Sequence, residues 1–477
     1  MTKLFIGGAF VSAESEEFLD VVEPATGNVF ARIARGKKAD IDRAVAAAQA
    51  ALDGAWGRLS ALERGRILTR ISQLVTEQAE ELAQLEARDT GKPLSTARND
   101  IAVLARYFEF YGGAADKIHG EVIPFNTGYN ALLLREPLGV TAHIIPWNYP
   151  AQMVGRSIAP ALAMGNAAVM KPSEDACLTP LRLAEIATKA GLPAGALNVV
   201  TGLGEEAGAA LSSHPGIAFI TFTGSNEVGA LIQAAAAKNY VKVALELGGK
   251  SPQVVFEDAD LDRALPFIIK AIAQNAGQTC VAGSRLLVQR SIYDKFVPRV
   301  AEAYKAIGVG TPAMDRDCGP LINSDQVKRV TGYIERAKKD GIPVLAEAPL
   351  DAALPTGGYY VRPTLFGPVP ADHPLANEEV FGPVLSVLPF DDEADAIRLA
   401  NATPYGLLAA VWTENGARQM RVAKAIRVGQ VFVNCYGAGG GVELPFGGVK
   451  GSGHGREKGL LVLEEMSSPK TVLQYHG

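Results

Sequence analysis

The feature that most limits the fold is an alternation of short apolar runs and helical stretches between Leu138 and Leu245. Successive apolar runs start roughly 22–29 residues apart, which is the spacing of parallel strands joined by helical crossovers. Such a region is expected to form a doubly wound parallel sheet, whose ligands bind at the carboxyl ends of the strands. The apolar runs cover residues 139–145, 167–170, 196–200, 218–221 and 241–245, and the helical stretches cover 179–189, 204–211 and 225–237.

Helices are predicted before this sheet, so the first part of the chain is expected to be helical. An alanine-rich run over 41–52 is followed by a longer helical run over 62–89. The segment Ser60-Ala61-Leu62-Glu63 has the pattern of a capping box at the start of this longer helix, and Gly91-Lys92-Pro93 is a glycine–proline terminator at its end. A third helix is predicted over 94–111.

A second α/β unit is predicted from about Gln253 onward, with a strand over 285–288 and helices over 261–274, 293–307 and 326–339. A projecting hairpin is predicted around 121–136, and the alternating tail over 470–475 is expected to pair as an edge strand. With 477 residues, the chain is long enough for two or three domains.

The composition argues against several classes of protein. Forty-six basic and fifty-one acidic side chains leave a formal net charge of −5, and no basic stripe of the kind that binds nucleic acid is visible. No run of eighteen apolar residues occurs, so no membrane-spanning helix is predicted. The N-terminus also lacks the pattern of a signal peptide. We therefore expect a cytoplasmic protein whose partners include neither nucleic acid nor a membrane.

One of the four cysteines differs from the others in its surroundings. Cys280 ends the segment Asn275-Ala276-Gly277-Gln278-Thr279-Cys280, where glycine and open backbone let a substrate carbon approach a nucleophilic thiol. The common alternative for a lone cysteine is a buried, inert side chain. Four cysteines in this length do not form a disulfide framework, and the absence of a C-x-x-C pair and of clustered histidines predicts no metal site.

Two further clusters place polar side chains at the ends of predicted strands. Glu246 ends an apolar run just before Gly248-Gly249, a position where parallel sheets carry catalytic groups. Its alternative is an ordinary salt bridge. Asn148 lies between Pro146 and Pro150, which restrict the backbone, and an amide held in this way can donate a hydrogen bond to a developing oxyanion. Its alternative is a simple turn asparagine.

Glycine-containing loops suggest a nucleotide site. One segment departs by a single residue from the dinucleotide-binding fingerprint, and by itself it is weak evidence for such a site. It reads Gly202-Leu203-Gly204-Glu205-Glu206-Ala207-Gly208. The segment 222–229 follows a strand and opens a helix, so its N–H groups face any phosphate there. In Lys171-Pro172-Ser173-Glu174, which also follows a strand, a carboxylate can accept hydrogen bonds from ribose hydroxyls and would repel a 2′-phosphate. This pattern favours NAD as the cofactor, and NADP stays open as an alternative.

Taken together and in this order, these clusters resemble the aldehyde dehydrogenase superfamily over nearly the whole chain. The separation of 34 residues between Glu246 and Cys280 is also that of the family. The resemblance rests on seven segments, which are Pro146-Trp147-Asn148, Lys171-Pro172-Ser173-Glu174, Phe222-Thr223-Gly224-Ser225, Glu246-Leu247-Gly248-Gly249-Lys250, Gly277-Gln278-Thr279-Cys280, Glu379-Val380-Phe381-Gly382-Pro383 and Pro445-Phe446-Gly447-Gly448.

The resemblance implies a role for each of these segments. Cys280 corresponds to the nucleophile, Glu246 to the general base and Asn148 to the amide that stabilises the oxyanion. The residues that the resemblance assigns to the substrate are Met153, Arg156, Thr279 and Tyr436. Those that it assigns to NAD are Ile145, Pro146, Trp147, Lys171, Glu174, Gly204, Gly208, Phe222, Gly224, Ser225, Leu247, Glu379 and Phe381.

The resemblance also implies an α/β fold with three parts. These are a Rossmann-like doubly wound cofactor domain, an α/β catalytic domain and a small β oligomerisation hairpin whose partner is the C-terminal strand. We assign 1–116 and 137–248 to the dinucleotide-binding domain, 249–449 to the catalytic domain, and 117–136 with 450–477 to oligomerisation. A homodimer and a homotetramer are both compatible with such a hairpin.

The reaction implied is the NAD-dependent oxidation of an aldehyde to a free carboxylic acid through a cysteine thiohemiacetal and a thioester. Relatives that pass the acyl group to coenzyme A commonly lack the glutamate that Glu246 matches, so a coenzyme-A-acylating enzyme is the less favoured alternative. Another alternative is a catalytically idle relative with a structural or binding role. That alternative predicts loss of the thiol or the base, and this sequence keeps both.

One position bears on the choice of aldehyde, which the sequence leaves open among aromatic, terpenoid, aliphatic and semialdehyde substrates. Arg156 stands where many relatives have an aromatic residue, in the helix that lines the family's substrate tunnel. It is expected either to pair with a carboxylate at the far end of a substrate or to pair with a protein acid, as buried charges must. The glycine-rich loop 436–441 is expected to form part of an open tunnel mouth.

Overall fold

The computed structural model describes residues 2–437 and 441–477. In chain order, its strands are β1 (Leu4–Ile6), β2 (Ala9–Val11), β3 (Phe18–Glu23), β4 (Asn28–Ala34), β5 (Glu121–Ile123), β6 (Tyr129–Pro137), β7 (Val140–Ile145), β8 (Ala167–Pro172), β9 (Leu197–Val199), β10 (Phe219–Thr223), β11 (Lys242–Glu246), β12 (Pro252–Val255), β13 (Arg285–Gln289), β14 (Val344–Glu347), β15 (Thr364–Phe366), β16 (Val384–Phe390), β17 (Leu408–Trp412), β18 (Gln430–Val433), β19 (Gly453–His454) and β20 (Ser467–Tyr475).

The helices are, in chain order, α1 (Lys38–Asp53), α2 (Ala61–Glu77), α3 (Ala79–Thr90), α4 (Leu94–Ala114), α5 (Pro150–Ala163), α6 (Leu178–Lys189), α7 (Ala209–Ser212), α8 (Asn226–Ala237), α9 (Leu261–Ala273), α10 (Arg290–Lys305), α11 (Ser324–Lys339), α12 (Pro374–Asn377), α13 (Glu393–Asn401), α14 (Gly416–Ala425) and α15 (Leu461–Glu465). Most of them lie between strands, as the alternating pattern predicts.

The first large sheet is built on the region that the sequence predicts to be doubly wound. Its strand order is β2-β1-β9-β8-β7-β10-β11-β19, and β9, β8, β7, β10 and β11 are parallel to one another. The chain moves from β7 outward to β9 and then returns to β10 on the other side of β7. The strand order therefore reverses between β7 and β10, and a doubly wound sheet binds its ligand at such a point.

The second large sheet has the order β14-β15-β16-β13-β12-β17-β18 and is parallel except for β14. Each large sheet has its own hydrophobic core of buried aliphatic and aromatic side chains. This arrangement, together with the small third sheet, confirms the predicted fold class. Among residues 2–437 and 441–477, the structure has no helix that combines the length and the apolar character needed to cross a membrane.

The third sheet joins the predicted hairpin to the C-terminal tail. The order is β20-β6-β5, and β20 pairs antiparallel with β6 from Ser467 opposite Pro137 to Tyr475 opposite Tyr129. Exposed apolar side chains remain on this sheet, among them Val122, Leu134, Leu473 and Tyr475. The sheet therefore carries more apolar surface than its contacts within the chain cover.

Local sequence signals account for some helix ends and miss others. The capping box is confirmed, because Glu63 N donates to Ser60 Oγ at 3.3 Å and Ser60 N donates to Glu63 Oε2 at 2.8 Å. Gly91 ends α3 with a φ of 79°, a conformation that glycine adopts without strain. The single helix predicted over 62–89 is wrong, because Gln78 leaves helical geometry with a φ of −110° and separates α2 from α3.

The sequence analysis also missed the strands that precede the first helix. Short strands β1 to β4 occupy the N-terminal region that was expected to be helical, and β3 pairs with β4 as a separate hairpin. Strands β1 and β2 have only three residues each, and β3 and β4 are mostly exposed or half-buried, so none of the four forms the long buried apolar run that marks the strands of the first large sheet. The helix predicted over 204–211 is a π-helical turn over Gly204–Gly208 followed by the short α7.

Candidate active site

The three residues with predicted catalytic roles lie close together, where loops of the first large sheet contact the segment that carries Cys280. Glu246 is the last residue of β11, and Asn148 follows β7 by three residues. Because β10 is parallel to both strands and lies between them, their carboxyl ends share one edge of the sheet. Cys280 reaches this edge from the other core, on the segment between α9 and β13.

The chain reverses sharply just before Cys280. Asn275, Ala276 and Gly277 have φ angles of 48°, 53° and 72°, all in the left-handed region. Non-glycine residues seldom adopt this conformation, and it persists where surrounding contacts enforce it. The buried amide of Gln278 supplies such contacts, because its Nε2 donates to Asn275 O at 3.1 Å and its Oε1 accepts from Ile322 N at 2.9 Å.

Asn148 is tied directly to this turn. Its Nδ2 donates a hydrogen bond to Gln278 O at 3.0 Å, two residues before Cys280. An amide nitrogen carries two hydrogens, so one remains for a further acceptor. On the opposite side, a Cβ atom at Gly249 would lie 2.3 Å from Cys280 O, so the backbone that follows β11 touches the cysteine.

The surroundings of Cys280 hold its thiol in the protonated form. Burial raises the pKa of the thiol to about 12, the positive charge of Arg156 lowers it, and the negative charges of Glu379 and Glu246 raise it. At neutral pH the sulfur therefore carries its proton. A nucleophilic reaction at this cysteine needs a base that takes the proton as the sulfur attacks.

Glu246 is a buried carboxyl group with the properties of such a base. Burial raises its pKa to about 8, the guanidinium of Arg156 lowers it, and the carboxylate of Glu457 raises it. In the part of the chain that the structure describes, neither oxygen of Glu246 accepts a hydrogen bond. An ion pair joins Glu246 Oε2 to Arg156 Nη2 at 3.5 Å. The pKa of Glu246 thus lies close to neutral pH, where a general base is most effective.

Arg156 is paired with acids of the protein itself. Its Nε forms an ion pair with Glu457, and its guanidinium lies 4.2 Å from the centre of the Phe446 ring. Both Arg156 and Glu457 are buried. Of the two alternatives for Arg156, the structure therefore shows the pairing with a protein acid.

The sequence analysis missed Glu457, which was assigned with the rest of 450–477 to oligomerisation. One signal was present in the sequence, because a buried arginine needs an acid close by. The sequence does not say which of the many acids that is, since Arg156 and Glu457 are about 300 residues apart and only folding brings them together.

The other residues assigned to the substrate lie around the same site. Met153 Sδ lies 3.9 Å from Arg156 Nη1, and Thr279 is buried beside Cys280. The hydroxyl of Tyr436 donates to Val281 O. The part of the expected tunnel mouth over 438–440 lies outside the described residues.

Two residues assigned to NAD meet across the site. The ring of Trp147, on the loop after β7, lies edge-on to the ring of Phe381 with centroids 5.4 Å apart. Glu379 Oε1 accepts a hydrogen bond from Gly249 N at 2.9 Å, and burial raises the pKa of Glu379 to about 7. These contacts join the loop after β7 and the loop after β11 to the segment that precedes β16 of the second large sheet.

The residues assigned to the rest of the cofactor follow the strands beside the reversal point. Lys171 Nζ lies 2.8 Å from Glu174 Oε2 at the end of β8. Ser225 caps α8, because its Oγ accepts from Val228 N at 3.3 Å. Because α8 begins three residues after β10 ends, the positive end of the helix lies near the carboxyl end of that strand. The remaining assigned residues lie at the same strand ends or in the turn before α7, and they are Ile145, Pro146, Gly204, Gly208, Phe222, Gly224 and Leu247.

These groups fit a dinucleotide. A carboxylate paired with a lysine suits ribose hydroxyls, and the start of α8 suits a pyrophosphate. In addition, no atom comes within 4 Å of a Cβ placed at Gly204 or Gly208, so among the described residues the approach there is open.

Comparison with known proteins agrees with this arrangement. The family model for the aldehyde dehydrogenase family matches residues 10–472. Aldehyde dehydrogenase 1 of Tanacetum cinerariifolium is 45% identical over 478 residues, covering 99% of this chain and 94% of the relative. A protein from Burkholderia cenocepacia, provisionally named an aldehyde dehydrogenase, is 58% identical, with a TM-score of 0.99 and full coverage of both chains.

A third similar structure has ligands bound. It is a variant of AldA, the indole-3-acetaldehyde dehydrogenase of P. syringae, in complex with NAD+ and IAA, and it is 42% identical with a TM-score of 0.96. The similarity covers 100% of this chain and 97% of that chain. The chain described here belongs to the aldehyde dehydrogenase family, which confirms the predicted class of enzyme.

Proposed function

We propose that the protein oxidises an aldehyde to the free carboxylic acid, with NAD as the cofactor and Cys280 as the carrier of the acyl group. The observation that supports this most strongly is that Cys280, Glu246 and the Asn148 loop lie close together at the carboxyl ends of β7 and β11. The NAD+ bound to the similar P. syringae enzyme supports the choice of cofactor.

In the first step the sulfur of Cys280 forms a bond to the aldehyde carbon. Because burial raises the pKa of the thiol to about 12, its proton must leave as the bond forms. Glu246 takes that proton, directly or through one water molecule. The electron pair of the carbonyl π bond moves to the oxygen, and the product is a tetrahedral oxyanion on Cys280.

Two donors of the chain stabilise this oxyanion. One is the second hydrogen of the Asn148 amide, whose first hydrogen is held by Gln278 O, and the other is the backbone N–H of Cys280. Both are fixed before the reaction begins, so they stabilise the new charge without reorganisation.

Bound NAD supplies the nicotinamide ring that accepts the hydride from the aldehyde carbon. The chain holds that end of the site with Glu379, Phe381 and Trp147, and it holds the ribose and phosphate end with Glu174, Lys171 and Ser225. After the hydride has left, the acyl group remains on Cys280 as a thioester.

Glu246 acts a second time when the thioester is hydrolysed. It first releases to solvent the proton that it took from Cys280. As a carboxylate it then removes a proton from water, the water oxygen adds to the acyl carbon, and the carbon–sulfur bond breaks. The sulfur takes this second proton from Glu246, and the acid leaves. A base placed for this step supports the release of a free acid rather than transfer to coenzyme A.

The surroundings of Arg156 support a neutral aldehyde as the substrate. Its charge already faces Glu246 and Glu457, so a substrate carboxylate would compete with two buried acids that have lost their hydration. An Arg156→Ala variant tested with matched neutral and acid-tailed aldehydes distinguishes the alternatives. Selective loss of activity on the acid-tailed substrate would show that Arg156 binds it.

The apolar surface of the third sheet supports association of the protein with a second copy of itself. Its side chains Ile123, Leu473 and Tyr475 are exposed in the single chain. They share one face of the sheet, because Ile123 and Leu473 both stand opposite Ala131, and contiguous apolar surface of this kind marks interfaces. A closed homo-oligomer buries the same surface in every copy.

The proposal is tested by NADH formation with a panel of aldehydes, assayed with and without coenzyme A. We expect turnover without coenzyme A and formation of the free acid in amounts equal to NADH. Dependence on coenzyme A would indicate the acylating alternative, and the lack of turnover on any aldehyde would indicate an idle relative.

A further inference from the structure

A lysine outside the residues considered so far contacts the loop that carries Asn148. Lys92 lies between α3 and α4 and is fully buried. Its ammonium donates to Asn148 O at 3.1 Å, and it forms ion pairs with Asp100 Oδ2 at 2.6 Å and Glu86 Oε1 at 3.3 Å. It also lies 4.6 Å from the centre of the Tyr149 ring. The sequence analysis treated Gly91-Lys92-Pro93 only as a helix terminator.

The two acids that hold Lys92 contact the same loop independently. Glu86 Oε1 accepts a hydrogen bond from Ala151 N at 3.3 Å, and Asp100 Oδ1 accepts one from Gln152 Nε2 at 2.6 Å. Three buried side chains on α3, α4 and their connection therefore form hydrogen bonds to the segment from Asn148 to the first turn of α5. Each contact involves a charged group, and such hydrogen bonds are stronger and more directional than neutral ones.

The other side of Asn148 is held by the turn that precedes Cys280. Asn275 Nδ2 donates to Asn148 O at 3.0 Å, and the Asn148 amide donates to Gln278 O. The carbonyl of Asn148 thus accepts from both Lys92 and Asn275. Hydrogen bonds therefore hold the Asn148 backbone between the α3–α4 connection and the turn that precedes Cys280.

Stability alone does not explain a buried lysine with two buried acids. Removing three charges from water costs free energy that their mutual attraction only partly returns, and apolar replacements of buried ion pairs are often neutral or stabilising. A connected polar cluster does, however, favour one arrangement of the atoms it contacts. Here those atoms include the backbone carbonyl of Asn148, the proposed oxyanion donor.

We propose that Lys92, held by Glu86 and Asp100, is a positioning residue that fixes the Asn148 backbone so that its amide meets the oxyanion formed at Cys280. This inference rests on the proposed function. Lys92 does not touch the reacting atoms, and it acts only through Asn148. Its effect is therefore expected in the addition of Cys280 to the aldehyde, and so in the rate of the first NADH formed, and not in the binding of NAD.

The test is a double-mutant cycle between Lys92→Met and Asn148→Ala, measured as the rate of the first NADH turnover at saturating substrate. Methionine keeps the length of the side chain and removes the donor. Because a displacement of about 1 Å at a reacting site costs on the order of 10²-fold in rate, we expect Lys92→Met to slow this turnover by about 10-fold to 10²-fold. The dissociation constant for NAD should stay within roughly twofold.

The decisive result comes from the combined variant. If Lys92 acts through Asn148, adding Lys92→Met to Asn148→Ala slows the first turnover by no more than about twofold, since the donor is already absent. A full and multiplicative loss in the double variant would overturn the proposal, and so would an unchanged first turnover in Lys92→Met alone.

Further variants allow for the case in which Lys92→Met does not fold. Asp100→Asn keeps the shape and weakens the hold on Lys92, so we expect a loss of roughly fivefold that also vanishes in the Asn148→Ala background. Lys92→Arg, which keeps a charged donor, should retain more activity than Lys92→Met. Arg98→Met is the control and should leave the rate unchanged. Arg98 lies on the same helix as Asp100, and the substitution removes only its exposed ion pair with Glu80.

The outcome also separates this inference from the proposed function. If Asn148→Ala leaves the first turnover intact, the role of Asn148 fails and the inference fails with it. If Asn148→Ala slows the first turnover and the Lys92 and Asp100 variants are neutral or multiplicative with it, only the role of Lys92 is wrong.

Discussion

Arg156 and Glu457 form an ion pair with both side chains buried, next to the carboxyl group of Glu246. The arginine belongs to α5, at the end of the first sheet, and the glutamate belongs to the C-terminal segment. Two acids therefore share one guanidinium in a region with little water. Their charges act on Glu246 in opposite directions, because Arg156 lowers its pKa and Glu457 raises it.

This relationship predicts opposite pH shifts for two variants. Glu246 has a pKa of about 8 and works as a base only when deprotonated, so thioester hydrolysis should increase as the pH rises through that value. Arg156→Leu removes a cation and should move the rising limb to higher pH, and Glu457→Gln removes an anion and should move it to lower pH. Each shift should be at least roughly one pH unit.

The measurement for this pair is the rate of acid release after the first turnover as a function of pH. Thermal unfolding of both variants serves as the control for folding. If both limbs move in the same direction, or neither moves, the electrostatic assignment of Glu246 is wrong.

The role of Cys280 predicts the loss of oxidation in Cys280→Ser. A serine hydroxyl is a much weaker nucleophile at neutral pH, so the turnover should fall by at least about 10³-fold. NAD binding, followed by a spectroscopic titration, should remain. Cys318→Ser is the matched control, because a hydroxyl can replace the thiol that donates to Ala273 O at 3.0 Å. Turnover retained in Cys280→Ser would exclude this nucleophile.

The two roles of Glu246 predict a slowed burst in Glu246→Gln. Without the buried base the Cys280 proton must leave to solvent, so the first NADH should form more slowly than in the wild type, and hydrolysis of the thioester should then stall. Glutamine keeps the shape of the side chain but cannot remove a proton from water, so the acyl group should stay on Cys280. We expect at most one equivalent of NADH per active site, followed by a stall. Mass spectrometry of the intact protein should then detect the acyl group. Steady turnover at the wild-type rate would contradict a hydrolytic role, and the exposed Glu205→Gln should behave as wild type.

The pair at the end of β8 predicts the preference between NAD and NADP. Glu174→Ala removes a carboxylate that would repel a 2′-phosphate, and it releases Lys171 from an ion pair of 2.8 Å. We expect the ratio of kcat/KM for NAD to that for NADP to fall by roughly tenfold or more. Glu185→Ala, on the exposed side of α6, should leave this ratio unchanged. A wild-type enzyme that already prefers NADP would disprove the assignment.

The third sheet predicts how association can be disrupted. Leu473 is exposed on β20, and Leu473→Asp would place a charge inside an apolar interface that cannot hydrate it. We expect the mass measured by light scattering to fall to that of a smaller species. Gln474→Glu, one residue further on the opposite face of the strand, is the control. An unchanged mass in Leu473→Asp would place the interface elsewhere.

The places where the sequence predictions failed have different physical causes. The break at Gln78 was invisible because the apolar spacing continues on both sides of it. The N-terminal strands were missed because β1 and β2 are very short and β3 and β4 are largely exposed, so none of them gives a long buried apolar run. Lys92 was passed over because its neighbours Gly91 and Pro93 explain the segment as a helix end. For Lys92 the deciding contact, with the carbonyl of Asn148, comes from a distant part of the chain.

The sequence by itself determined the class of fold, the strand ends that carry polar groups, and the identity of the nucleophile and base candidates. It could do so because strand and helix periods, turn residues and motif spacing are local properties. Tertiary structure alone decided that Arg156 faces Glu457, and that Lys92 supports the backbone of Asn148. Those pairings depend on which buried charges meet after folding, and a buried charge is satisfied by whichever partner the packing brings within reach.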